Sequence, residues 1–351
     1  MKTKGKWVTA EDNIVGPEKS FPKSQYQQVL KRIDKIAALF QQAYPEPVGM
    51  QAKWYRAIRG SSLVENGPVP YQFNSLYEAW YCNPNLHKLM IGSETGTWAY
   101  VHANSFGWLI SDQSDKLWIT IGGQTAYLLA KKIGEWKGLA LYEPSSNRGK
   151  CKAVLFTRKN QLPYAAVNRL QFLQAMKENL EADKKRELDA QGKMPVRSDA
   201  EEEQVKQKRA DAYIKSFRPE RQAQARINYM KDYKTDQMRK NEMLQQTAAY
   251  FDAKIKAIDH AWIGLDEKGL EQPAIVTEDY HELFKGFSTE EKGGRMIVVL
   301  NKNYFDLKLP KYAPQFLVLY WEWDGNRAAQ NFKKHLEENF PVEQMQALID
   351  K

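Results

Sequence analysis

The stretch from Leu162 to Gly264 constrains the fold of this chain more than any other stretch does. Lys, Arg, Glu, Asp and Gln dominate it, and it has almost no β-strand pattern. It separates two segments that are rich in aromatic residues and carry the alternation typical of strands. We therefore expect an α+β fold, in which a long charged helical arm or layer is inserted between β segments.

The sequence predicts three regions. Residues 1–161 hold an N-terminal helix, an aromatic segment and a β-meander, residues 162–264 the charged helical insertion, and residues 265–351 the strands and helices that complete the α+β body. The 351 residues, 42% of them hydrophobic, suffice for two domains or for one domain with a large insertion. We expect the body to be an antiparallel sheet with packed helices.

The insertion itself is predicted to contain three helical segments. Breaks are expected at Gly192–Pro195 and at Arg218-Pro219, and Ser198 followed by Glu201 matches a capping box. The last segment is predicted to run to about residue 261 without a further break. Its expected inward residues are Ile227, Met230, Leu244, Ala248, Phe251, Ile255 and Ile258.

Elements of the body follow from periodicity and turn residues. Ser24–Tyr44 has one apolar face at helical spacing, with Ser24 as a plausible N-cap, and Pro45 and Pro47 end it. Closely spaced strands predict an antiparallel meander. They are Trp98–His102, Gly107–Ser111, Lys116–Ile121, Ala126–Ala130, Trp136–Tyr142 and Lys152–Thr157, with turns at Gly92–Gly96, Asp112–Asp115, Gly122-Gly123, Gly134 and Pro144–Gly149. Further strands are predicted at Pro273–Val276, Arg295–Asn301 and Gln315–Trp323, and closing helices at Asn326–Phe340 and Pro341–Asp350.

Residues 48–90 form an aromatic segment that we interpret as irregular, because glycines and prolines interrupt it. Flat apolar rings at a groove bind sugars and peptides, since they stack with little loss of entropy. The predicted ligand-binding residues are therefore Trp54, Tyr55, Tyr77 and Trp80. In the alternative interpretation, these rings form the hydrophobic core.

No catalytic or metal-binding motif is found. The two cysteines, Cys82 and Cys151, form no CxxC pair, which leaves open a single disulfide in an exported protein or two unrelated thiols. The five histidines include no HExxH motif, so we predict no metal site, no cofactor and no catalytic residue. Some carboxylates fall at predicted turns or strand ends without forming a distinct pair: Glu94, Asp112, Asp115, Glu135 and Glu143.

The formal net charge of +9 is spread over a chain in which both signs are interspersed. This pattern favours a solvated, lysine-rich surface over a nucleic-acid partner. The longest apolar runs are shorter than a membrane span requires, so no membrane span is predicted. The N-terminus lacks the apolar region of a signal peptide, which leaves a mature exported chain and a cytoplasmic one both open. The sequence does not indicate an oligomeric state.

One arrangement of short motifs resembles a known group of proteins. Phe156-Thr157-Arg158, Leu162-Pro163-Tyr164 and the segment Val167–Leu173 resemble a strand-to-helix layout of uncharacterised secreted bacterial proteins, which continue with a long charged helical segment. A later segment, Leu300–Phe305, followed by Leu309-Pro310 and Pro314-Gln315-Phe316, is similar to the return of those chains to their sheet. The resemblance covers roughly the last two thirds of the chain, and Asn168 stands where that group has Thr. It implies export, to the periplasm or outside the cell, and the architecture above, and it carries no catalytic residue.

The resulting hypothesis is a non-enzymatic exported binding or interaction protein with a helical arm and a protein or glycan partner. The first alternative is a hydrolase that acts on a peptide or glycan in a cleft lined by residues 54–81. The second is a protein that binds nucleic acid or an anionic surface through the arm, with binding that falls steeply with salt.

Overall fold

The computed structural model of the protein describes residues 3–14, 23–58, 61–92, 96–110, 115–144 and 150–351. The fold is α+β. The chain divides into two units, of which the first comprises Met1–Asn168, Pro273–Glu278 and Phe287–Lys351. The second comprises Arg169–Gln272 and Asp279–Gly286. The helical unit thus begins and ends later than the predicted insertion 162–264.

Ten strands of the described residues form one sheet in the first unit. Its strands are β1 (Trp7–Thr9), β2 (Asn13–Ile14), β3 (Met50–Ile58), β4 (Tyr71–Asn83), β5 (Lys88–Ile91), β6 (Trp98–Ala103), β9 (Lys131–Trp136), β10 (Leu139–Glu143), β11 (Lys150–Phe156) and β15 (Leu317–Trp323). The order along the main path is β1-β3-β4-β6-β15-β11-β10-β9. Pairing is antiparallel except that β1 and β2 run parallel to β3. The last strand of the chain therefore lies in the middle of this sheet.

A second sheet of the same unit has the order β12-β14-β8-β7, and one further strand, β13, pairs with β14. Its strands are β7 (Lys116–Ile121), β8 (Gln124–Leu128), β12 (Tyr164–Ala166), β13 (Ile275–Val276) and β14 (Arg295–Leu300). The predicted single meander is therefore wrong. β7 and β8 are not part of the first sheet: they pair with each other, and β8 also pairs with β14, a strand far away in sequence that local periodicity cannot connect to it.

The larger sheet is covered on both faces. On one face, α1 (Lys23–Ala43), α7 (Arg327–Asn339) and α8 (Val342–Gln346) bury residues such as Ile33, Phe40 and Phe332 against Phe73 and Trp321. On the other face, residues of the second sheet join Val318 and Tyr320 in a separate core. β15 is accordingly buried at every position, as its continuous apolar run predicts. Full burial of one such side chain stabilises the fold by about 1.5–3 kcal/mol.

The second unit is helical. Its helices are α2 (Arg169–Gly192), α3 (Asp199–Ile214), α4 (Pro219–Asp232), α5 (Asp236–Ile263) and α6 (Glu267–Glu271). The predicted capping box is present, because Ser198 and Glu201 cap each other's backbone at the start of α3. The predicted uninterrupted last helix is wrong: Tyr233–Thr235 separates α4 from α5, and Thr235 caps α5. Ile227, expected to point inward, is 61% exposed.

Several local predictions need correction. Residues 48–90 are not irregular but supply β3, β4 and β5. The predicted strand Gly107–Ser111 is a short 3-10 helix, Gly107–Leu109, within the described residues. The predicted strand Trp136–Tyr142 is a hairpin, in which Lys137 and Gly138 take positive φ of 50° and 80° between β9 and β10.

Some predictions fall partly outside the described residues. These are the turns at Gly92–Gly96, Asp112–Asp115 and Pro144–Gly149, Ser111 at the end of the predicted strand 107–111, and the side chain of the predicted cap Ser24.

Candidate functional site

The inner strands of the larger sheet place a set of aromatic and amide side chains on one face. Residues directly opposite in antiparallel strands share a face, and Tyr55 of β3, Asn74 of β4 and Tyr100 of β6 are such partners. Gln72 and His102 form the next row of the same face. The alternate residues of β4, including Phe73, point to the helix-covered core.

This face borders a cavity of about 960 Å³ inside the first unit. The volume is that of a small-molecule site. The second sheet contributes the facing residues, among them Tyr127 of β8 and Val298 and Leu300 of β14. The described lining residues are Tyr55, Leu63, Gln72, Asn74, Trp98, Tyr100, His102, Ser105, Phe106, Gly107, Trp108, Ile110, Tyr127, Tyr164, Val298, Val299 and Leu300.

Asn74 is the most unusual polar group of this lining. It is 1% exposed, and neither its Oδ1 nor its Nδ2 has a hydrogen-bond partner within the described part of the chain. Asn104, which is equally buried, shows what the fold does with a structural amide. Its Nδ2 donates to the carbonyls of Val69 and Ala313, at 3.0 and 3.2 Å, and its Oδ1 accepts from the backbone N–H of Gln315 at 2.8 Å. Buried amides are almost always satisfied in this way, so the Asn74 amide is a candidate contact for a ligand.

His102 is held at the cavity by the backbone that follows it. The residue is 6% exposed, and Gly107 lies against its imidazole ring. A Cβ at position 107 would come within 2.6 Å of His102 Cδ2, and Gly107 has a φ of +53°. Both the space and the backbone conformation therefore require glycine there. The 3-10 helix that the sequence analysis mistook for a strand thus forms one wall beside His102.

The described lining residues include no Asp, Glu, Lys or Arg. Of the tyrosines, Tyr164 has its pKa raised above the ordinary value, chiefly by burial and also by the neighbouring Tyr142, whose hydroxyl oxygen lies 3.3 Å from its own. Tyr164 therefore stays neutral at physiological pH. The lining offers hydrogen bonds and ring faces without a fixed ionic charge.

The four predicted ligand-binding residues separate in the structure. Tyr55 lines the cavity. Trp54 and Tyr77 lie in the helix-covered core, where the Tyr77 ring is centred 3.9 Å from that of Phe332. Trp80, half-buried near the end of β4, is outside the described lining.

Five further lining residues were not predicted from the sequence: Gln72, Asn74, Trp98, Tyr100 and His102. The apolar-polar alternation from Tyr71 to Asn74 was the available signal, because it places Gln72 and Asn74 on the face opposite to Phe73.

The residues considered for hydrolysis are not brought to the cavity. Cys82 is exposed on β4, and Cys151 is buried and donates from Sγ to the Pro144 carbonyl at 3.1 Å. Both cysteines are free, so the disulfide alternative is not formed. Asp115 forms an ion pair with Arg295 at 2.7 Å. The remaining carboxylates are exposed outside the lining, at Glu135 and Glu143, or lie outside the described residues, at Glu94 and Asp112.

The helical unit has a nearly balanced charge. Residues 169–272 contain 21 Lys and Arg and 19 Asp and Glu, so most of the net charge of +9 lies elsewhere in the chain. Ion pairs such as Lys177–Asp259 and Lys184–Asp252, at 2.7 and 2.5 Å, join the two longest helices. This pattern is typical of a solvated helix pair rather than of a polyanion-binding surface.

Within the described ranges, no helix is long and apolar enough to cross a membrane, and no cluster of three or more His, Cys, Asp or Glu is arranged to hold a metal ion. Comparison of the chain with protein-family models, with curated proteins and with solved structures finds no match in any of the three.

Proposed function

We propose that the protein is a non-enzymatic binding protein that holds an uncharged ligand in the cavity of the first unit. The unpartnered, buried amide of Asn74 is the observation that carries the proposal. A buried polar group without a partner costs about 1–3 kcal/mol of folding free energy. A ligand that donates to its Oδ1 and accepts from its Nδ2 removes this cost when it binds.

The remaining lining supports the same proposal. Aromatic rings from several strands, among them Tyr55, Tyr100 and Tyr127, provide a large apolar contact area. The absence of Asp, Glu, Lys and Arg from the described lining favours a neutral ligand, because a buried charge needs a partner of opposite sign.

Binding without chemistry is favoured over hydrolysis. Glycoside hydrolysis requires two carboxyl groups beside the scissile bond, and peptide hydrolysis requires an activated nucleophile or metal-bound water. The described lining supplies no carboxylate and no cysteine, and the hydroxyl oxygen of its Ser105 accepts a hydrogen bond from the Gly107 backbone N–H at 3.3 Å.

Ligand-observed saturation-transfer NMR tests this function on the whole chain with a library of small uncharged fragments. Asn74→Leu removes the amide at similar volume, and Asn303→Leu makes the same change at an exposed position of the same unit. We expect a subset of fragments to bind the wild-type protein and Asn303→Leu, and to bind Asn74→Leu at least about tenfold more weakly, a loss of about 1.4 kcal/mol. Fragments that bind all three proteins equally would refute the proposed site.

Export remains part of the proposal and is supported by the resemblance to secreted bacterial proteins. Fractionation of the source cells tests it, with the protein detected by an antibody. Recovery with periplasmic or extracellular markers is expected, and recovery with cytoplasmic markers would contradict it.

A further inference from the structure

We infer that the ligand is a neutral saccharide, whose ring packs on the tyrosines beside Asn74 and whose hydroxyls bond to the amides of Asn74 and Gln72. This inference rests on the proposed function and names the chemical class of the ligand. Three features of the cavity carry it: the spacing of the amides, the placement of the rings, and the strands that build the walls.

The two amides lie on one strand and share a face. Gln72 and Asn74 are two residues apart on β4, so their side chains leave the strand in the same direction, roughly 6.5 Å apart. Each amide offers a carbonyl acceptor and two N–H donors. Hydroxyl groups on adjacent carbons of a sugar ring both donate and accept, so a pair of them satisfies both atoms of one amide. A ligand with only acceptors, or only donors, would leave one atom of Asn74 unpaired.

Aromatic rings flank the amide of Asn74 on both sides. Tyr55 and Tyr100 are the direct cross-strand partners of Asn74, with Cβ atoms about 4.5–5.5 Å away. Trp98 lies nearly parallel to Tyr100, with ring centroids 5.8 Å apart and an interplanar angle of 9°. The C–H face of a pyranose ring is apolar and stacks on such rings, while its hydroxyls project from the edge. A sugar ring on a tyrosine beside Asn74 thus presents its hydroxyls to the amide.

Nucleotides and most coenzymes fit this cavity less well. They carry phosphate or carboxylate groups, and anion sites use Arg, Lys or helix N-termini. The described lining contains no Arg or Lys. A neutral ligand with many hydroxyls can bind without Arg, Lys or a helix N-terminus.

A peptide also fits less well, because the strands that wall the cavity are interior strands. β4 pairs with β3 and β6, β6 pairs with β4 and β15, and β14 pairs with β8 and β12. Their backbone groups are used within the sheets, so a peptide cannot add as a further strand beside them. Recognition beside these strands must use side chains, and those around Asn74 on β3, β4 and β6 are amides and aromatic rings.

Isothermal titration calorimetry on the full chain tests the inference. The probes are uncharged trisaccharides of glucose, xylose, mannose and N-acetylglucosamine, with adenine and caffeine as neutral planar heterocycles. We expect at least one trisaccharide to bind the wild-type protein and Asn303→Leu, and to bind Asn74→Leu at least about tenfold more weakly. Tyr100→Leu removes the ring and should weaken binding at least about tenfold.

The possible results distinguish a failure of the saccharide assignment from a failure of the proposed binding function. Binding of the heterocycles alone, lost in Asn74→Leu, would overturn the saccharide assignment and leave the proposed function intact. Trisaccharide binding that is unchanged in Asn74→Leu and Tyr100→Leu would also overturn the assignment. Binding of none of the probes would overturn it as well, and the fragment experiment then decides on the proposed function independently.

Discussion

The buried polar side chains of the first unit differ in whether the surrounding protein supplies their hydrogen-bond and ion-pair partners. Arg295 and Asp115 are 7% and 3% exposed, and Arg295 also donates to the carbonyls of Leu128 and Leu129, at 3.1 and 2.9 Å. These contacts tie β14 to the end of β8. Among the described residues, Asn74 has no hydrogen-bond partner for either amide atom. Folding explains the contacts of Arg295 and Asp115, whereas the proposed binding function would explain Asn74.

Replacement of Asp115 tests the buried ion pair. Asp115→Ala removes the carboxylate that pairs with the buried guanidinium of Arg295. We expect this substitution to lower the free energy of unfolding by about 3–5 kcal/mol. Asp34→Ala is the matched control, because Asp34 is half-exposed and pairs with Arg56 at 2.7 Å. We expect the control to change stability by at most about 1 kcal/mol. Urea denaturation measures both, and equal losses would contradict the distinction.

Glu337 predicts a pH dependence of stability. Burial raises the pKa of its carboxyl group, but hydrogen bonds from Lys333 and Lys152 outweigh this, so the pKa lies below its ordinary value. A pKa that is depressed in the folded state adds stability that is fully present above the unfolded value of about 4.3. That stability is lost as the pH falls through the folded-state pKa.

Urea denaturation of the wild-type protein and of Glu337→Gln at several pH values tests this linkage. We expect wild type to be more stable than Glu337→Gln at pH 7 and its advantage to shrink steadily below about pH 4. A difference between the two proteins that is independent of pH would show that the carboxylate does not contribute in this way.

Only some residues of the candidate site could be predicted from the sequence. Tyr55 was found because aromatic rings are a general signal for ligands, and the same signal selected Trp54 and Tyr77, which face the helices. Which face of β3 and β4 borders a cavity depends on the second sheet. The unpaired state of Asn74 depends on side chains of other strands, so no local pattern reveals it.

At the scale of elements, three polar contacts join α2 to α5. Lys177, Lys184 and Gln191 follow one another at intervals of seven, and their partners on α5 are Asp259, Asp252 and Thr247, at 2.7, 2.5 and 2.9 Å. The partners step backward along α5 by seven and then by five residues, which indicates an antiparallel pair.

Deletion of residues 177–245 with a short Gly-Ser linker tests the independence of the first unit. The deleted segment contains no tryptophan, so all ten remain in the variant. We expect the near-UV circular dichroism signal to persist while the helical signal falls, because both cores of the first unit lie outside the deletion. Loss of the near-UV signal would instead show that these helices are needed for the first unit to fold.

Elements with strong local signals were predicted well, and those with weak ones were not. α1 and the capping box at Ser198 follow from helical spacing and cap chemistry. The strands of residues 48–90 were missed because adjacent aromatic residues, Trp54-Tyr55 in β3 and Trp80-Tyr81 in β4, interrupt the alternation, which is clear only from Tyr71 to Asn74. The break at Tyr233–Thr235 was missed because it contains neither glycine nor proline.

At the scale of the whole molecule, composition and the order of patterns were sufficient to predict the α+β class. They were not sufficient to predict two sheets. β15 pairs with β6 and β11, and β14 pairs with β8, although long stretches of sequence separate these strands. Such pairings depend on tertiary packing, and the cavity exists only because the two sheets face each other.

The central claim is that the amide of Asn74 serves a ligand and not the fold, and the unfolding free energy of Asn74→Leu without any ligand tests it most directly. The substitution replaces an unpaired buried amide by an apolar group beside a cavity that has room for it. We predict by urea denaturation that Asn74→Leu is more stable than wild type by about 1–3 kcal/mol, whereas Asn303→Leu is unchanged. A loss of stability in Asn74→Leu would show that the amide supports the fold and would contradict the account.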